Sequence, residues 1–237
     1  MIFASILAGG FGDRLGNTDK PKQFLFIGNK PILIHTIEKF YINNIFDEII
    51  VPVPKQWVTH TRDLIKKYIS NSSKITVING GDTRNDSIMN TIQYLKENYT
   101  ISEDDIILTH DAVRPFVTHR IIMENIEVAK NHGVCNTVIP ATDTVVESID
   151  GNLVSNIPNR KFMYKGQTPQ SFKILKFEKY YNSLSEEDKL ILTDAAKVFV
   201  LNNEPVYLVK GEVNNIKITY TYDLKLADTI LKGNFED

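Results

Sequence analysis

The feature that most constrains this chain is the alternation of short apolar runs with helix-like segments through residues 1–133. "IFASILA" (2–8), "DEIIVPVP" (47–54), "KITVING" (74–80) and "DDIILTHDA" (104–112) read as buried strands, being brief, apolar and bounded by turn residues. Between them, apolar residues recur at helical spacing over 31–43, 57–69, 83–99 and 118–133. Pro31 suits a first helical turn and Gly133 a helix stop. Strands joined by helices in this rhythm predict an α/β fold, a Rossmann-like, mostly parallel sheet flanked by helices with right-handed crossovers.

Residues 136–170 change character, alternating apolar and polar positions around a Gly151-Asn152 turn. They predict a β-arm over 136–165 that protrudes from the sheet and serves as a subunit contact. Helices near 171–182 and 185–202, a strand over 205–211 and a helix over 222–232 complete the expectation. No repeat or linker interrupts it, so residues 1–237 read as one domain with an arm.

A net charge of −2 over 237 residues argues against a surface for nucleic acid. No apolar run approaches the ~20 residues of a membrane span, and the apolar N-terminus lacks a basic flank, so no membrane is expected and a cytoplasmic location is. One cysteine, Cys135, excludes an internal disulfide, and it reads as a small buried apolar residue. The five histidines form no metal-binding spacing.

In a parallel sheet the ligand lies outside the carboxyl ends of the strands, and three such ends carry unusual residues. The first is "LAGGFGDRLG". It lacks the Gly-Lys-Ser/Thr of a P-loop, and its glycines miss the dinucleotide spacing by one place. What remains is a glycine loop offering backbone N–H groups to an anion, followed by Arg14 and Lys22, which suit a polyphosphate. A tight turn with solvated charges is the plain alternative. At the second, "INGGDTRNDS", Asp82 or Thr83 caps a helix whose first turns carry Arg84 and Ser87; capping alone would also explain it. At the third, "LTHDAVRPF", Asp111 ends a buried strand, where an unpaired carboxylate is costly. Either a Mg²⁺ shared with phosphates or an ion pair with Arg114 would offset that cost. Lys217, in "NNIKIT", lies between Ile216 and Ile218 and reads either as a solvent-facing edge lysine or as a fourth contributor.

Together "LAGGFGDRLG…PKQF", "GGDTRNDS", "HDAVRP", "DTV", "QTPQSF" and "NIKIT", in that order, resemble the methylerythritol-phosphate cytidylyltransferases and their polyol-phosphate relatives. Within that group "THDAVRPFVTHR", "MYKGQTPQSF" and "LTDAAK" look more like the D-ribitol-5-phosphate enzymes of teichoic-acid and capsule synthesis. Val113 departs from the HDAARP form of the methylerythritol enzymes. The resemblance implies transfer of CMP from CTP to D-ribitol 5-phosphate, with 2-C-methyl-D-erythritol 4-phosphate as the alternative acceptor. It implies CTP on the backbone of Leu7, Ala8, Gly9, Gly10, Phe11 and Gly12, with Arg14 and Lys22 on the triphosphate. Gly81, Asp82, Arg84 and Ser87 would hold cytosine and ribose, and Asp111 a Mg²⁺ ion. Arg114, Thr144, Arg160 and Lys217 would take the polyol phosphate. Arg14, Lys22 and Lys217 are the expected catalytic cations. The arm is implied to make a homodimer and to carry Arg160 into the partner's cleft. A nucleotide-sensing module without catalysis is the non-enzyme alternative.

Overall fold

The computed structural model describes residues 1–10 and 20–233. The expected parallel strands form as β1 (Ile2–Leu7), β4 (Glu48–Val53), β5 (Ile75–Asn79) and β6 (Ile106–Asp111). A two-residue pair, β2 (Phe26–Ile27) and β3 (Lys30–Pro31), precedes α1 (Ile32–Tyr41). The crossovers are α1, α2 (Val58–Tyr68) and α3 (Arg84–Asn98), and α4 (His119–His132) follows β6. The chain steps outward from β1 to β4 to β5 and then returns across the sheet to β6, on the other flank of β1. The strand order therefore reverses between β1 and β6, which is where such sheets open a ligand crevice.

Helices cover both faces, which is why these strands read as continuous apolar runs. Ala4, Ile6, Ile49 and Val51 pack with α1, α2 and α4, whereas Phe3, Ile50 and Ile107 pack with α3. Local signals set the helix ends. Thr83 and Asp86 form a capping box on α3, and α4 starts on Thr118 and ends at Gly133 with φ +90°. Cys135 is buried, as its setting predicts.

The second half corrects the expectation. β7 (Val134–Pro140) and β8 (Tyr164–Lys173) belong to the central sheet, which runs β5-β4-β1-β6-β8-β7-β9 with β9 at Tyr207–Lys210. β8 is antiparallel to both neighbours. It does not read as a core strand because four of its six buried residues are polar: Gln167, Thr168, Gln170 and Ser171 lie inside with Pro169 and Phe172. Their partners are distant in sequence; Gln170 donates to Asn136 and Asp194 and accepts from the Ala195 amide. Residues 141–163 project, with a single isolated β-bridge, Glu147 to Asn156, among the described residues and the Ala141 amide donating to the Met163 carbonyl at the base. Residues 171–173 extend β8 rather than starting α5 (Ile174–Ser183). The expected 185–202 helix divides into α6 (Glu186–Leu190) and α7 (Ala196–Leu201), where Asp194 caps the second piece. The last helix, α8, spans Thr221–Leu231. No helix among the described residues is long and apolar enough to cross a membrane.

Candidate active site

A cleft of about 240 Å³ opens at the carboxyl ends of β1, β5 and β6, lined by Leu7–Gly10, Lys22, Gln23, Gly81–Arg84, Ser87, Asp111–Val113 and Lys217. Each stretch is held by its own local chemistry. After β1 the backbone is pinned from both sides, since the Ala8 amide donates to Pro52 and the Ala8 carbonyl accepts from Gln23 Nε2 at 2.7 Å. Gln23 sits on a short turn, Lys22–Phe24, whose Phe24 packs on Trp57 and His60. Two buried neighbours thus fix the turn that brings Lys22 to the cleft.

The loop after β5 requires glycine for space rather than for φ. A Cβ on Gly81 would collide with Asp86, lying 2.7 Å from its backbone carbon. The Gly81 amide donates to Ser87 Oγ at 3.0 Å, and that hydroxyl donates to the Thr83 carbonyl. Ser87 therefore shapes the loop besides lining the cleft. A Cβ on Gly9 would meet Ser87 Oγ at an ordinary 3.6 Å.

Three cations converge on Asp111, which is 8% exposed. Lys217 Nζ lies 2.9 Å from Oδ2, Arg84 Nε 3.5 Å from Oδ1 and Arg114 Nε 3.6 Å from Oδ2. Burial pushes the carboxyl pKa up, but the charges of Arg84, Lys217 and Arg114 outweigh it and hold the group well below the usual carboxylate range. Behind it, His110 is fully buried and its pKa is pushed down to about 4, mainly by desolvation. Its Nε2 faces the Arg114 carbonyl, a pure acceptor, so Nε2 carries the proton and Thr168 Oγ1 donates to Nδ1. Thr168 Oγ1 in turn accepts from the Asp111 amide.

The surplus of positive charge marks an anion site. Arg84 Nη1 and Nη2 are buried and find no hydrogen-bond partner among the described residues. Buried donors of that kind need acceptors, and phosphate oxygens in the cleft would supply them.

Of the residues singled out from sequence, Leu7, Ala8, Gly9, Gly10, Lys22, Gly81, Asp82, Arg84, Ser87, Asp111 and Lys217 meet in this cleft. Phe11, Gly12 and Arg14 lie outside the described residues. Lys217 is no edge-strand lysine: residues 216–219 form no strand, and the side chain turns to Asp111. Arg114 stands behind Asp111, donating from Nη1 to the Asn215 carbonyl. Thr144 and Arg160 lie exposed on the projecting segment, where Arg160 Nη1 donates to the Thr142 carbonyl. Sequence reasoning overlooked Gln23, Thr168 and Asn215. Each is a neutral amide or hydroxyl whose partner is remote, and composition carries no signal for that.

Asp111 needs no metal to be buried, because three protein cations neutralise it. No group of three His, Cys, Asp or Glu suited to a metal occurs among the described residues. A single carboxylate still fits Mg²⁺ that takes its other ligands from phosphate oxygens and water.

The family model described as IspD, 2-C-methyl-D-erythritol 4-phosphate cytidylyltransferase, matches residues 2–233. The fold is similar to 4-diphosphocytidyl-2C-methyl-D-erythritol synthase from Anaerococcus prevotii, with 28% identity, a TM-score of 0.79 and 98% of each chain covered. It is equally similar to 2-C-methyl-D-erythritol 4-phosphate cytidylyltransferase from Francisella tularensis, at 28% identity and TM-score 0.79 over 96% of this chain and 98% of that one. The Thermus thermophilus enzyme of the same name, 24% identical, shares the fold at a TM-score of 0.74 over 98% of this chain and all of that one. The whole-length match, together with a cationic cleft at the sheet's switch point, places this chain in the IspD family as a CTP-dependent cytidylyltransferase.

Proposed function

We propose that the cleft joins the α-phosphorus of CTP to the phosphate of a short polyol phosphate and releases pyrophosphate. The observation that carries this is that Lys22, Arg84, Asp111 and Lys217, from four separate chain segments, line one cleft, with Arg84 and Lys217 on the Asp111 carboxylate. The attacking phosphate is ionised at neutral pH, so no general base is required. The work is holding two anions in line and stabilising charge that builds at the α-phosphorus. Lys22 and Lys217, with Arg14, are assigned to that task, and the Arg84 donors to phosphate oxygens. Gly81 and Asp82 are assigned to the nucleoside. Mg²⁺, when bound, would be held by Asp111 and would offset phosphate charge.

Two acceptors remain in play, each with its own support. The family model and the named neighbours favour 2-C-methyl-D-erythritol 4-phosphate. D-Ribitol 5-phosphate, for a teichoic-acid or capsule polymer, is favoured by the motifs quoted above and by Val113. This residue lines the cleft beside Asp111, and its two methyls beyond alanine leave less room for a branched acceptor. Pyrophosphate release from CTP with each phosphate, and with UTP and GTP in place of CTP, tests the proposal. Release with CTP and one of the two acceptors supports it; release with neither acceptor refutes it.

The proposal extends to a homodimer. Val146, Ile149, Leu153, Val154 and Ile157 are exposed on the projecting segment, and a second copy of the chain would cover them. Thr144 and Arg160 would then reach the partner's cleft.

A further inference from the structure

Lys217 projects from a stretch with no regular secondary structure, yet its ammonium lies 2.9 Å from a buried carboxylate. A flexible side chain on an unsupported loop would lose much entropy in holding that position, so something must fix the backbone on both sides. After the lysine, Ile218 is fully buried and its amide donates to the Val113 carbonyl at 2.9 Å. Before it, Asn215 is fully buried, and its Nδ2 donates to the Thr168 carbonyl at 2.9 Å and to Gln167 Oε1 at 3.2 Å. Its own carbonyl accepts from Arg114.

Gln167 completes the clamp. Its Nε2 donates to the Glu212 carbonyl at 2.8 Å and its Oε1 accepts from the Glu212 amide at 3.3 Å, so one side-chain amide grips both backbone groups of that residue. The fit is tight, since a Cβ on Gly211 would run into Gln167 Oε1. None of these amides touches the cleft. They lie between β8, which also carries the Thr168 hydroxyl under Asp111, and the segment that carries Lys217.

We propose that Asn215 and Gln167 are positioning residues that set the Lys217 ammonium relative to Asp111. This rests on the reading of Lys217 as a cation acting on the reacting phosphates. The two polar stretches "GQTPQ" and "EVNNIK" are thus one device: β8 supplies the amide and the carbonyl that register the lysine segment against the strand bearing Asp111.

The test is a double-mutant cycle on the full chain, read as pyrophosphate release at saturating CTP and acceptor. Asn215→Ala and Gln167→Ala are each expected to lower kcat by about tenfold or more, since a misplacement near 1 Å can cost ~10²-fold. KM for CTP should stay within about twofold. In the Lys217→Ala background, Asn215→Ala should cost less than about twofold, because the group it positions is gone. Should Asn215→Ala fail to fold, Gln167→Ala carries the same cycle. Full multiplicative losses in the Lys217→Ala background would overturn the inference, as would an unchanged kcat in both amide variants. Near-normal turnover by Lys217→Ala alone would instead overturn the reading of the site, and the inference with it.

Discussion

The cleft and the projecting segment 141–163 are built by opposite rules. In the cleft, side chains are tied to the fold while the Arg84 Nη donors are left for a ligand: Gln23 is 1% exposed and bound to Ala8, and Asp111 carries three cations. On the segment the strand pairing is a single isolated bridge, and Ile149 and Leu153 stand 89% and 72% exposed. A surface of that apolar character on a folded chain marks an interaction site. The contrast teaches that one chain by itself builds a closely packed cationic cleft, while its exposed apolar segment is free for the second copy proposed above.

The largest effect should come from the cleft's charges. Lys22→Ala is expected to lower turnover by ~10²-fold or more. Asp111→Asn should also cost stability, by about 3–5 kcal/mol, because it leaves three cations facing a neutral group. Denaturant melts alongside steady-state assays separate the two effects, and an Asp111→Asn protein as stable as the parent would break the account of that cluster.

Glycine substitutions sharpen the comparison next. Gly81→Ala should lose about 1–3 kcal/mol through overpacking against Asp86, and KM for CTP should rise. Gly9→Ala should change little, since its Cβ meets only an ordinary contact. Gly151, at φ +77° on the segment, has open space around it; alanine there acts through backbone strain alone and should leave KM untouched.

Two carboxylates offer a smaller contrast. Burial raises the Asp86 pKa, but hydrogen bonds from Thr83 and Tyr181 outweigh it and set it below 3.8. Asp150 is also lowered, by the Leu153 and Asn152 amides, but it is fully exposed at the segment's tip. A depressed carboxyl stabilises above its unfolded pKa and loses that contribution as pH falls through the folded value. Asp86→Asn should therefore cost about 1 kcal/mol near pH 6 as the capping box is lost, and the gap to the parent should close as pH falls below 3.8. Asp150→Asn should shift the melting temperature far less at any pH, because water screens the fully exposed carboxylate. A parallel pH response in both variants would erase the distinction between the two regions.

Least costly to the chain itself, Ile149→Asp with Leu153→Asp should shift its intrinsic stability by under ~0.5 kcal/mol, yet convert a dimer to a monomer in sedimentation. A monomer in the parent protein, or a dimer in the variant, contradicts the assignment of the segment.

What was legible in the sequence follows from how each part is stabilised. β1, β4, β5 and β6 are covered on both faces, so their apolar runs announced them, and the paired glycines after β1 and β5 marked the cleft. β8 was misread because Gln167, Thr168, Gln170 and Ser171 are buried polar residues whose partners lie far along the chain. Lys217 was ambiguous for the same reason: its neighbours alternate like a strand, and its partner Asp111 is visible only in three dimensions. Arg114 resolved toward the ion pair, which removed the burial argument for a metal.

The most direct test mixes two inactive proteins, Lys22→Ala and Arg160→Ala, refolds them together and measures pyrophosphate release. If the segment completes the partner's cleft, mixed dimers carry one intact site of two, and about a quarter of the parent activity should return. No recovery, with mixed dimers shown to form, would place Arg160 in its own chain's site and contradict the shared-site account, as would full activity of Arg160→Ala alone.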